Sequence, residues 1–513
     1  MSHKLKKISP TAWNKWVYIF ALTCAFFFLH GYQSHEGDHA EHLPQVYRLN
    51  NPELFQGDYF LESYDQQFNI RTYYVYTIYA LNTVVPLKTL LFLLCFICVF
   101  GSAAAFFRIS QHFFKERAAP YLALPLIFLF CFNFTLGGNV ITYPILICST
   151  LGKLFAAWGL LYFLRENWRI SGLLLGAATL YQMLAGFQLF ALLFGTLVLL
   201  NGLKLKKKHF EFVLGYLILA SFMLVPVAYG MFVGKGDYDK TLYYQILFDF
   251  KNSAHYVPSK FPLTQYLRFI PLFFGAWFLI RKHPKAKFFN RFFILGSLGL
   301  IIYAFLFEVI GWRTIGLTQW FKSTIWLQSL ACIIVAGFAA KWLKADVTKP
   351  VFTKLFVVGG LALLSIILFS KFIPSDKFKY RYQVGFHKST PLENLHEWIK
   401  HNTPTDQKIL VSPLNTGFTC QSLRPGAFTN RAIVHYPDFL LPFYADYQKI
   451  YNIGIKDLPN GHPDHQADVN YHNLIGASTL EYPLRIVDLE KFNPQDIDYE
   501  VIHKEHPFAL IKF

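Results

Sequence analysis

Apolar positions in this chain gather into long runs and do not show the short alternations of a soluble domain. Trp16–Leu29, Leu87–Phe107, Tyr121–Phe134, Ile141–Leu164 and Val351–Phe369 carry at most one charge each. A helix needs about 20 such residues to cross a bilayer. Read along the whole chain, the pattern predicts about nine crossings, centred near residues 22, 96, 126, 152, 222, 272, 301, 330 and 360. The first run follows Lys4, Lys6, Lys7 and Lys15, as a signal peptide would. No small-x-small cleavage site follows it, only His30-Gly31-Tyr32, so it reads as an uncleaved span.

One stretch interrupts the alternation. Ser171–Asn201 lies between two basic connections, and as a single helix its 31 residues would extend about 46 Å. Two shorter helices that enter and return keep both ends on one side. Gln182, Gly186 and Gln188 mark the expected break, a device found where helices line a cavity or are buried in protein.

Beyond Lys371 the pattern changes. Leu392, Leu395, Trp398 and Ile399 have helical spacing, and Thr403-Pro404-Thr405-Asp406 is a turn. Lys408–Val411, Arg431–His435, Tyr499–Ile502 and Phe508–Ile511 read as strands. The expected architecture is mainly α. A polytopic helical membrane domain covers 1–371, with a first extracytoplasmic loop at 30–83. A soluble extracytoplasmic α/β domain covers 372–513.

Composition agrees with this reading. Of 513 residues 54% are apolar and 15% charged, with 55 Phe and a mean hydropathy of +0.32. Disordered chains and ordinary soluble enzymes are excluded. The net charge of +17 would suggest nucleic acid in a soluble protein. Here the basic residues sit in short connections and form no continuous stripe, so no nucleic-acid partner is expected. Six connections hold 21 Lys and Arg against Glu116, Glu166 and Asp346, which makes them the cytoplasmic set. His30–Ile70, by contrast, has one Arg and seven acids. The N-terminus is then inside, and the C-terminal domain lies outside the cytoplasmic (inner) membrane. Six of the seven cysteines fall in apolar runs and behave as small hydrophobes; Cys95-x-x-Cys98 is mid-span and is packed or lipid-facing.

Candidate chemistry concentrates directly after the first span. His30–His42 holds His30, His35, His39 and His42 with Glu36, Asp38 and Glu41. A carboxylate fixed at the membrane surface can serve as a general base toward a lipid-borne substrate. A solvated acidic face is the alternative. A metal site is another: His35, His39 and His42 share one face with Asp38 if the segment is helical, a set that suits Zn²⁺ or Mn²⁺. Asp58, in Gln56-Gly57-Asp58, is a secondary candidate or a turn residue. His255, Tyr256 and Lys260 can bind a phosphate or sugar, or merely cap the next span. Glu308, Arg313 and Lys322 lie at membrane-edge depth, where ionisable groups are costly and default to function. Lys153 is charged within a span, its partner unassigned.

Glu36-Gly37-Asp38, placed right after span 1, resembles the acidic pair of the GT-C superfamily of polytopic glycosyltransferases, which use polyprenyl-phosphate-linked sugars. His255-Tyr256-Val257-Pro258-Ser259 and Trp398-Ile399-Lys400-His401-Asn402-Thr403-Pro404 are similar to segments of an uncharacterised bacterial membrane branch of that type. The likeness spans nearly the whole chain as architecture. It departs in two places: no Trp-Trp-Asp-type acceptor motif is present, and Tyr181-Gln182 stands where relatives carry an ionisable residue. The resemblance implies an inverting sugar transferase acting on the outer face. Asp38 would be the base and Glu36 would orient it or share a divalent cation. His255, Tyr256, Lys260, Arg313 and Asp58 would bind the lipid-phosphate-linked sugar. The competing expectation is a non-catalytic envelope assembly protein or a transporter of the same architecture. Mid-membrane chemistry around Lys153 would favour the transporter.

Overall fold

The computed structural model describes residues 10–35, 37–66, 68–131, 135–232, 238–251, 253–343, 389–427, 436–457, 463–474, 482–493 and 497–513. The span expected near residue 360, the strand Arg431–His435, Glu36 and the boundary at 371/372 lie outside the described residues.

Among these residues the chain is mainly helical, with a small sheet at its C-terminal end. Helix α1 (Pro10–His30) is followed by three short helices of the first loop: α2 (His39–Asn50), α3 (Tyr59–Gln66) and α4 (Thr72–Asn82). Then come α5 (Leu87–Phe113), α6 (Ala119–Phe130), α7 (Cys148–Leu164), α8 (Trp168–Tyr181), α9 (Met183–Leu200) and α10 (Lys207–Phe232). The short helices α11 (Lys240–Tyr244) and α12 (Ser253–Tyr256) flank a π-helical turn, Gln245–Lys251. Helices α13 (Leu263–Ile280), α14 (Ala286–Ala304) and α15 (Thr324–Trp342) complete the described bundle. Among the described residues, six helical segments are long and apolar enough to cross a membrane, which marks a membrane protein. Helix α15, whose one charge is Lys341 in its last turn, is buried almost throughout and packs against α6 and α13, whereas α10 and α13 expose Leu214, Phe222, Leu267 and Phe278. In lipid such apolar side chains meet a matching solvent.

The interrupted segment breaks where its polar residues predict. Gln182 is extended (φ −144, ψ 97) between α8 and α9. The two helices then fold back on one another. A Cβ on Gly186 would collide with the backbone nitrogen of Thr179, so only glycine permits this approach. At about 1.5 Å per residue, the 14 residues of α8 are too short to cross.

The run Ile141–Leu164 corrects one expectation. It becomes helical only at Cys148, because Pro144 lacks the N–H that a helix interior needs. The preceding segment 135–147 is non-helical yet mostly buried. Lys153 therefore stands in the second turn of α7, near its start, and not at mid-span.

At the C-terminal end, helix α16 (Pro391–Asn402) opens with a capping box between Thr390 and Glu393. Helices α17 (Phe418–Ser422), α18 (Pro437–Tyr451) and α19 (Pro463–His472) follow. Strands β1 (Leu484–Asp488), β2 (Glu500–Glu505) and β3 (Phe508–Lys512) form an antiparallel sheet in the order β1-β3-β2. Lys408–Val411 contributes buried residues but only isolated bridges, Ile409 to Gly426 and Leu410 to Arg485. Helix α18 docks on the loops of the helical part. The Tyr59 hydroxyl donates to the Phe439 carbonyl at 2.5 Å, and Phe250 stacks edge-on against Tyr444 and Tyr447.

Candidate functional site

The first loop is anchored by its histidines. His39 and His42 are both fully buried. His39 donates from Nε2 to the Leu146 carbonyl at 2.7 Å and accepts the His35 backbone N–H on Nδ1 at 3.1 Å. His42 accepts the Cys148 thiol on Nε2 at 3.2 Å. Burial pushes both imidazoles down to about 3, so they are neutral packing groups. Helix α2 begins only at His39, so the single helical face of His35, His39 and His42 does not form. Among the described residues, no three His, Cys, Asp or Glu side chains are placed to hold a metal ion.

Asp38 occupies the N-cap of α2, exposed, with no side-chain capping bond. Its carboxylate interacts electrostatically, without direct contact, with three basic side chains: Arg71, Lys153 and Lys322. These come from three distant places, the start of α4, the second turn of α7 and the turn before α15. Arg71 gives Nε to Glu41 at 3.2 Å. Burial weakens the hold of its guanidinium on the proton, and Glu41, Cys148, Asp38 and Tyr64 more than restore it. Lys153 is 1% exposed; its Nζ donates to Asn139 Oδ1 at 2.6 Å and to the Val140 carbonyl, and lies 4.8 Å from the Tyr143 ring. Asn139 also donates from Nδ2 to the Lys322 carbonyl at 3.0 Å, tying the two lysine segments together.

The buried segment 135–147 builds this corner. Gly137 and Gly138 take left-handed φ of +85 and +70. A Cβ on Gly137 would lie 2.8 Å from that of Phe321, and one on Gly138 would lie 2.5 Å from His255 Nδ1. Glycine alone allows the turn and the approach that carry Asn139 between Lys153 and Lys322.

Three basic groups thus meet two carboxylates, and one of these, Glu41, is already engaged by Arg71. Among the described residues, no acceptor is bonded to Lys322 Nζ or to the terminal nitrogens of Arg71, and no base lies within ion-pair distance of Asp38. The corner can accept an anion at the lysines and arginine beside a free carboxylate.

The remaining predicted residues divide. Tyr256 is buried, accepts from Gln319 Nε2 at 2.7 Å and interacts with Arg71, which places it beside the same corner. His255 donates from Nδ1 to the Gly137 carbonyl at 3.2 Å. Lys260 and Arg313 gather elsewhere, 3.5 Å and 3.9 Å from Asp249. Asp58 is fully buried and accepts the Leu61 N–H at 3.2 Å, capping α3. Sequence reasoning missed Arg71 altogether and did not join Lys153 to Lys322.

No family model matches the chain, and no curated protein matches it. Among solved structures it is similar to the crystal structure of the Archaeoglobus fulgidus oligosaccharyltransferase in the apo form. The identity is 12% and the TM-score 0.45, over 94% of this chain and 70% of that one.

Proposed function

We propose that this membrane protein is a glycosyltransferase that moves a sugar from a lipid-phosphate carrier to an acceptor hydroxyl on the outer face of the cytoplasmic membrane. The observation that carries the reading is the free Asp38 carboxylate opposite Arg71, Lys153 and Lys322. Asp38 takes the acceptor proton as the acceptor oxygen bonds to the anomeric carbon. The bond from that carbon to the phosphate oxygen breaks, and its electron pair stays on the phosphate. Arg71 and Lys322 have unengaged N–H groups for the charge that develops there, and preorganised donors of this kind supply much of an enzyme's rate. Lys153, two of whose three N–H donors go to Asn139 and Val140, adds positive charge. Attack from the side opposite the phosphate inverts the anomeric centre.

The transporter reading leans on Lys153 as a mid-membrane charge. Its place near the start of α7, facing Asp38, supports the transferase. The test is mass spectrometry of envelope glycans and lipid-linked sugars in cells carrying the wild-type gene, no gene, or Asp38→Asn. The transferase reading expects a lipid-linked sugar to accumulate, and one glycan substituent to vanish, in both altered strains. Identical profiles in all three would refute it.

A further inference from the structure

We infer that the C-terminal domain holds the Asp38 turn in place, with Gln421 as the positioning residue. The role assigned to Asp38 rests on the reading above; the contact does not.

His35, three residues before Asp38, has a left-handed φ of +61, which a residue with a Cβ adopts rarely. Among the described residues, three bonds from the first loop hold it there. Its N–H donates to His39 Nδ1 at 3.1 Å, and its ring nitrogens meet Ser34 Oγ at 2.7 Å and Tyr47 Oη at 3.1 Å. A fourth comes from the C-terminal domain. Gln421 Nε2 donates to the His35 carbonyl at 3.4 Å. Gly417 leaves room for the same oxygen, from which an added Cβ would lie only 3.0 Å away.

The Gln421 amide is itself oriented from behind. Its Oε1 accepts from His396 Nδ1 at 2.6 Å, and His396 Nε2 accepts from Asn415 Nδ2 at 3.1 Å. Burial holds His396 down to about 4, so near neutral pH the ring has one N–H and the direction of this chain is fixed.

Helix α17 bridges two cores. Phe418 packs with Leu395 and Ile399 in the C-terminal domain. Cys420 packs with Leu43, Val46 and Tyr74 of the first loop. Asp38 makes no capping bond of its own, so its direction depends on the path of the backbone through His35 and Gly37. Loss of the Gln421 bond lets His35 relax toward negative φ and re-aims that path.

Hydrogen exchange of the full-length protein in nanodiscs tests this. Gln421→Glu keeps an acceptor for His396 and the side-chain volume, and replaces the donor to His35 by a carboxylate oxygen that repels its carbonyl. Gln421→Met removes both bonds. Both variants should speed exchange of the amides at 35–42 by about 3- to 10-fold, the net worth of one hydrogen bond. Exchange in α5 and in strand β3 should stay at wild-type rates. Unchanged exchange at 35–42 would overturn the assignment. So would acceleration spread through β3, which would make Gln421 a folding residue. The readout needs no substrate, so it stands or falls separately from sugar transfer.

Discussion

Two charged clusters of this protein use the same residue types to opposite ends. At the first, Asp249 answers both Lys260 and Arg313, at 3.5 Å and 3.9 Å, with both cations partly exposed. Its charges are spent on one another, and such surface pairs contribute roughly 0–1 kcal/mol. At the second, Arg71 holds Glu41 at 3.2 Å, but Asp38 faces Arg71, Lys153 and Lys322 without an ion pair. The comparison separates charge that holds loops together from charge left available to a ligand. A count of Lys, Arg and Asp along the sequence does not make that separation. The positions of the carboxylates do.

The sharpest way to break the contrast is at the carboxylates. Asp38→Asn should lower sugar transfer by ~10²–10⁴-fold, the usual worth of a general base, with normal folding and insertion. Asp65→Asn, which loses only the exposed pair with Arg48 at 2.6 Å, should leave turnover within about twofold. Equal losses at 38 and 65 would reduce the loop to a solvated acidic face.

Next comes the buried lysine. Lys153→Met removes a costly desolvated ammonium but leaves the Val140 carbonyl without this donor and Asn139 Oδ1 with the Val140 N–H alone, at 3.1 Å. These effects oppose, so the unfolding free energy should change by no more than about 2 kcal/mol. Transfer should nevertheless fall by roughly 10-fold or more, the worth of one charged contact. Thermal unfolding and turnover on the same preparation check the pair of outcomes. Unaltered turnover would move Lys153 to the structural side of the comparison.

The histidine anchor predicts an acid limit for the first loop. His39 and His42 are lowered from 6.5 to about 3 by burial. The unfolded loop therefore binds more protons than the folded one between those values, and stability falls as pH falls. The contribution is full above about pH 6.5 and is lost progressively toward pH 3. Exchange of amides 39–50, corrected for its intrinsic pH dependence, should accelerate from pH 7 to pH 4. A flat profile would contradict the burial of these rings. The smallest effect is expected at Asp249→Asn, which should shift stability by less than about 1 kcal/mol in a denaturation curve and leave transfer unchanged.

Much of this organisation was legible in the sequence, and the gaps have physical causes. Eight of the nine expected crossings fall on described helices, because lipid requires long uncharged runs. The break at Gln182 showed as polar residues in an apolar stretch. Helix α19 did not show, since the apolar residues of Pro463–His472 (Ala467, Val469 and Tyr471) fall at every second position and give no helical period to read. Strand β1 was hidden by Arg485, a charge that is buried in the fold. In the candidate site, Asp38 is proposed from its place after the first span. Arg71 was not legible: its partner Glu41 lies 30 residues away on another helix, and only the tertiary fold brings Lys153 and Lys322 to it. Lys260 and Arg313 looked like ligand groups because Asp249, which engages them, stands in a π-helical turn with no sequence signature.

We propose that the Asp38 corner, and not the Asp249 cluster, receives the carrier phosphate. Native mass spectrometry of the purified protein titrated with a polyprenyl phosphate tests it most directly. Lys322 makes no side-chain bond among the described residues, so Lys322→Met should fold normally and bind at least about 10-fold more weakly than wild type. Arg313→Gln should bind as wild type does. Wild-type affinity in Lys322→Met, with the loss appearing in Arg313→Gln, would contradict the account.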